Sequence, residues 1–126
     1  MIRRVELITV ADELNINNVI YTTETMERIN ERLNNYRHVP ITVNFDVGEL
    51  GSAVGRVIPK TSKFDGKKIT VDIDVDEYWY NLLESDEYTV GSHTEHLKLE
   101  DKKIIPETNF DVISLQIIKN WRDKWN

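Results

Sequence analysis

The run Ile69-Thr70-Val71-Asp72-Ile73-Asp74-Val75 constrains this chain more than any other segment. Apolar β-branched residues hold the odd positions and polar residues the even ones. Successive side chains of a strand point to opposite faces, so a period of two calls for a sheet with one buried and one wetted face. A helix would scatter the same apolar residues around its whole circumference. Before the run comes Asp65-Gly66, a pair that accepts the positive φ angles of a tight hairpin. After it, Asp76 stands where a helix cap belongs. Glu77 follows in the first turn, and Trp79, Leu82 and Leu83 form the apolar side of a short helix.

The rest of the chain reads outward from that strand. Residues 5–10 are rich in β-branched side chains and predict a first strand, residues 15–18 a turn, and Val19-Ile20-Tyr21 a short second strand. Thr22 or Thr23 can cap a helix by accepting from an otherwise orphan amide, and Glu24 meets the positive end of its dipole. Met26, Ile29, Leu33 and Tyr36 recur at helical spacing and predict one core-facing stripe, with Asn34-Asn35 as its stop. Ile41, Val43 and Phe45 restore the period of two, residues 48–51 look like a loop, and residues 53–58 form another strand. Residues 88–99 are strand-like, Glu100-Asp101 a turn, Lys103-Ile104-Ile105 the start of a partner strand, and residues 110–118 the last strand. Trp121 and Trp125 stand four apart, on one face of a closing helix. The expectation is an α+β domain: a mostly antiparallel, β-barrel-like core with two short helices and a C-terminal one.

At 126 residues the chain suits a single domain spanning 1–126: an N-terminal strand and turn (1–16), a β core (17–118) and a Trp-bearing tail (119–126). Sixteen Lys and Arg against 22 Asp and Glu give a net charge of -6, which argues against a phosphate backbone as direct partner. Cysteine is absent, which excludes disulfides, thiolate metal sites and a cysteine nucleophile. Glu6 and Asp12-Glu13 interrupt any apolar leader, and no stretch is long enough to cross a bilayer. The expectation is a soluble, cytoplasmic chain without a membrane partner.

Several patterns resemble chemical sites and fail on spacing. Asp72, Asp74 and Asp76 suggest a calcium loop, but loop positions six and twelve would fall on Glu77 and Leu83, where the site needs Gly and Glu. The three aspartates read instead as a polar strand face and a cap, available to a basic partner. His93 and His96 are three apart in a strand-like segment, whereas a zinc helix needs four. No metal or cofactor is expected. Gly48 to Gly55 lacks the Gly-Lys-Ser/Thr ending of a phosphate loop. His38 stands alone before Pro40. Trp121 and Trp125 are either a contact surface or packed back on the core.

The order of these elements resembles the β-barrel core of the prohead (head-maturation) serine proteases of tailed bacteriophages. A short strand and helix precede Val39-Pro40-Ile41-Thr42-Val43, and the family's Asn-His-Asp is matched by Asn44-Phe45-Asp46. Gly55-Arg56-Val57 follows, then the strand at 69–75 and the helix from Glu77. Thr89-Val90-Gly91 takes the place of Ser-x-Gly, and Asp111-Val112-Ile113-Ser114-Leu115 the place of the final strand. The resemblance implies that the catalytic histidine falls on Phe45 and the nucleophile on Thr89. A phenyl ring takes no proton from a hydroxyl, so the chemistry is missing. The expectation is a noncatalytic phage or prophage protein that contacts other proteins, such as capsid or portal components, in the host cytoplasm or the virion. Two alternatives stand beside it: an active serine protease using Ser92 and His38, and an acidic inhibitor whose Asp72, Asp74 and Asp76 imitate phosphates before a nucleic-acid-binding protein.

Overall fold

The alternating segment forms β6 (Ile69–Val75), with Ile69, Val71, Ile73 and Val75 all buried. The computed structural model describes residues 1–15, 17–43 and 53–119. In chain order β6 is preceded by β1 (Ile2–Glu6), β2 (Ile20–Tyr21), α1 (Thr23–Leu33), β3 (Pro40–Val43), β4 (Ala53–Val57) and β5 (Lys63–Phe64). It is followed by α2 (Glu77–Glu84), β7 (Tyr88–Glu100) and β8 (Lys103–Lys119). The molecule is α+β, with a mostly antiparallel sheet ordered β1-β6-β4-β3-β8-β2. In addition β5 pairs with β6, and β7 with β8. The parallel contacts are those of β2 and β3 with β8, and two isolated bridges.

The expected barrel is not closed. Among the described residues, the two flanks of the sheet meet at one isolated parallel bridge, Leu7 with Val90. The same feature ends the first strand at Glu6, so that β1 runs from Ile2 to Glu6, earlier in the chain than the expected 5–10. Leu7 N–H still donates to the Ile69 carbonyl of β6, but the next amide, Ile8, donates to Val90 of β7. The backbone changes partner there, so the ladder on β6 ends.

Capping residues set the helices. Thr22 accepts from Thr25 N–H at the start of α1, and Asp76 accepts from Trp79 N–H at the start of α2. Met26, Ile29 and Leu33 of α1 are buried, whereas Tyr36, expected in the same stripe, is 75 % exposed. The helix ends at Leu33, so its periodicity does not reach Tyr36, whose ring instead carries the Lys60 ammonium at 4.4 Å. Asn34 bonds both the amide and the carbonyl of Ser62, tying the end of α1 to the segment before β5.

The two strands expected at 103–105 and 110–118 are one long β8, bent where its register with β7 shifts near His93 and again between Glu95 and Leu97. A bulge bends a strand without ending it. The turn joining β7 to β8 is Asp101-Lys102, one residue later than expected, closed by the Glu100–Lys103 pair. The expected loop at 48–51, Phe45 and the expected helix carrying Trp121 and Trp125 lie outside the described residues.

Candidate functional site

The gap in the sheet makes a concavity among the described residues. β1 and β7 touch at Leu7 and Val90 and diverge toward Arg3 and Tyr88, leaving a cleft of about 220 Å³. Leu83 of α2 lines it together with residues of both strands. α2 is held beneath by Trp79, whose ring stands edge-on to Tyr88 at 5.7 Å. Arg3 links β1 to α2, with its guanidinium 5.2 Å from the Tyr80 ring centre and 3.8 Å from the Glu84 carboxylate.

The walls of this cleft are strand edges. Val75 N–H donates to the Met1 carbonyl and Leu7 N–H to the Ile69 carbonyl. Alternation makes Arg3–Ile73 and Val5–Val71 the hydrogen-bonded pairs between them. Ile2, Arg4 and Glu6 therefore turn their main-chain groups away from β6, toward β7. The opposite partner of Arg4 agrees: Asp72 spends its carbonyl on Ile58 N–H and its amide on Thr61 Oγ1, both away from β1.

Thr89, the position matched to the nucleophile, lies in this cleft, half-buried and opposite Ile118. The titratable residues lining the cleft with it are Arg3, Arg4, Glu6, Asp86 and Tyr88, and no histidine lines it. Glu6 is engaged by Lys68 at 2.7 Å. Ser92 sits opposite Leu115, which in turn pairs with the fully buried Ile41, so its side chain shares the core face. His38 is exposed on the segment leading into β3. The structure does not assemble Ser92 and His38 into a dyad by strand pairing.

One juxtaposition was not found from the sequence. His93 stands directly across from Ser114, which is buried. The Nδ1 atom of His93 is buried without a hydrogen-bond partner, so it does not hold the Ser114 hydroxyl as a base would. The pair arises from the β7–β8 register, which no local spacing encodes. His96 follows at a positive φ of 61°, in the irregularity between Glu95 and Leu97. Among the described residues, no group of three His, Asp or Glu side chains is placed to hold a metal ion.

The acidic row is engaged within the fold. Arg4 holds Asp72 at 3.0 Å, and the amino group of Met1 holds Asp74 at 2.9 Å, with Arg56 at 3.9 Å. The bond and charge of that amino group, with Arg56, lower the Asp74 pKa. Asp76 is committed to capping α2. A further cluster lies on α1 and β8, where Arg32 and Arg37 share the Asp111 carboxylate. Partial burial there pushes the Asp111 pKa up, but the Arg32 bond and charge, Arg37 and the Val112 amide outweigh it, leaving it lowered. Arg28 lies over the Phe110 ring at 5.7 Å.

Comparison with family models, curated proteins and solved structures found no match. The site therefore rests on its own geometry: two strand edges, a floor from α2, and a threonine without a histidine beside it. No helix among the described residues is long and apolar enough to cross a membrane.

Proposed function

We propose that this chain is a noncatalytic protein acting through protein–protein contacts, on a fold resembling the prohead serine proteases, with head assembly of a tailed phage or prophage as its setting. The observation that carries this reading is the cleft around Thr89. The residue matched to the nucleophile lies in an accessible concavity, yet the titratable residues lining it are two arginines, two acids and a tyrosine rather than an imidazole. A threonine hydroxyl without a base stays protonated at neutral pH, and a protease-like core without its site does not carry the activity. Ser92 on the core face and exposed His38 support the same conclusion.

The test is labelling with a serine-reactive fluorophosphonate, with an active serine protease as positive control. The expected outcome is no label. A label mapped to Thr89 or Ser92 and lost on alanine substitution overturns the reading. Association with purified capsid or portal protein of a tailed phage, surviving moderate salt, is the expected positive result for the assembly role. An acidic mimic of phosphates would instead release its target steeply as salt rises, because screening acts strongly on exposed charges.

A further inference from the structure

We propose that the cleft between β1 and β7 is a docking groove for a single extended peptide segment of a partner protein. The segment adds as a strand to the free edge of β1 and carries a basic residue over the turn at residues 84–87. This deepens the noncatalytic contact reading and rests on it.

Exposed strand edges invite pairing with other chains, and folded proteins blunt them with short strands, bulges or outward charges. Here the other outer edges among the described strands are blunted. β2 and β5 have two residues each, and β7 is broken by register shifts from His93 to Leu97 with His96 at positive φ, while its unbroken start supplies Tyr88, Thr89 and Val90 to the opposite wall of the same cleft. The edge of β1 is different. Its five residues pair with β6 in unbroken register, without proline, glycine or bulge. Its charges are drawn off the edge: Arg4 onto Asp72 and Thr70, Glu6 onto Lys68, and Arg3 onto Tyr80 and Glu84 of α2. The amide and carbonyl of Arg4 and the amide of Glu6 are thus left facing the cleft, while the Glu6 carbonyl lies at the Leu7–Val90 bridge.

The shape selects the occupant. β1 is walled by β7, which closes on it at Ile8 and Val90, and floored by α2. The β1 edge of a second copy would bring its own β7 and α2 into that space, whereas one isolated strand enters alone. The cleft, of about 220 Å³, is narrow enough to favour main chain with small side chains over a row of aromatic rings. Charge gives the wide end its preference. Asp86 lines that end and the Glu84 carboxylate stands 3.8 Å from Arg3, on a chain of net charge -6. A Lys or Arg near one end of the incoming strand complements that rim.

The test pans a yeast-displayed library of random peptides, roughly 12 residues long so as to overrun β1, against the full chain. Enriched peptides should combine β-branched or small residues with a basic one. On binding, the Arg4 and Glu6 amide resonances should shift and their hydrogen exchange should slow. Glu6→Pro removes an edge-facing N–H without breaking the β6 ladder, and should weaken the best peptide about tenfold or more, the loss of one to two main-chain bonds. Glu6→Gln removes the same ion pair with Lys68 but keeps the N–H, and should bind like the parent. Methylating alternate amides of the peptide should reproduce the loss on the unaltered protein, independently of how Glu6→Pro folds. No enrichment, a footprint away from β1, or equal binding by the Pro and Gln variants overturns the groove. Each of those outcomes leaves the noncatalytic reading standing, while fluorophosphonate labelling overturns that reading and not the groove.

Discussion

Gly55 marks a close approach of β4 to β6. A Cβ built there would stand 2.1 Å from the Asp74 carbonyl oxygen and 2.7 Å from Val75 Cγ1, so β4 lies against β6 only because this residue has no side chain. The obstacle is backbone in the middle of the sheet and cannot swing away. Gly55→Ala should lower stability by about 3 kcal/mol, the upper range for overpacking, read from the urea midpoint with the slope unchanged. Thr25 is the polar counterpart: fully buried in α1, its hydroxyl donates to the Ile104 carbonyl of β8 at 2.7 Å. Thr25→Val keeps the shape and removes the donor, and should cost about 1 to 2 kcal/mol in the same assay. The neighbouring cap at Thr22 is readable from the sequence because its bond to Thr25 N–H spans three residues. The Thr25 role is not, because its acceptor lies 79 residues away. Thr89 divides in the same way. Its missing base follows from residue types, but its place in a cleft depends on β1, more than eighty positions earlier.

Elements governed by local periodicity or capping behave as their sequences predict: β6, both helix starts and the Asp65-Gly66 turn. Elements governed by partner choice do not. β1 ends early because Ile8 turns to β7, and β8 runs on as one strand because its irregularities bend the ladder. The β7–β8 turn shows what such a design costs locally. Asp101 and Lys102 adopt φ of 51° and 67°, the left-handed pair that a two-residue hairpin needs and that a lysine adopts reluctantly. Lys102→Gly relieves that strain and should raise stability by about 0.5 to 1 kcal/mol after the entropy lost by glycine is counted, seen as a higher melting temperature. At the β1 edge, the alternation of hydrogen bonding makes a sharper prediction. Amides of Arg3 and Val5, bonded to β6, should exchange slowly in the free protein, while those of Arg4 and Glu6 exchange fast. Equal protection at all of them, by NMR, would mean that β7 already covers the edge.

At the scale of the whole molecule, the acid balance bears on stability through the way the carboxylates are held. The lowered pKa values among the described residues are those of Asp12, Asp65, Asp74 and Asp111. Each carboxylate joins distant parts of the chain or closes a turn: Asp12 reaches Thr23, Asp65 the amides of Lys67 and Lys68, Asp74 the Met1 amino group, and Asp111 the arginines after and within α1. A carboxyl that holds its proton less tightly folded than unfolded favours the native state once it is ionised. That contribution is complete above the unfolded value near about pH 4, and is lost as pH falls through the lower folded value. All these groups act in one direction, so the urea midpoint should fall steadily below about pH 4. Asp111 separates this effect from general charging, because its partner Arg32 is only 13 % exposed and one of its guanidinium nitrogens is already without a hydrogen bond. Asp111→Asn should therefore cost about 1 to 2 kcal/mol at neutral pH, less than a fully buried pair because the carboxylate is partly wetted. The gap between variant and parent should close as pH drops below the ordinary carboxylate range, where the parent carboxyl is itself neutral. A gap that stays constant down to the acid transition would assign the loss to packing at β8 rather than to the ion pair.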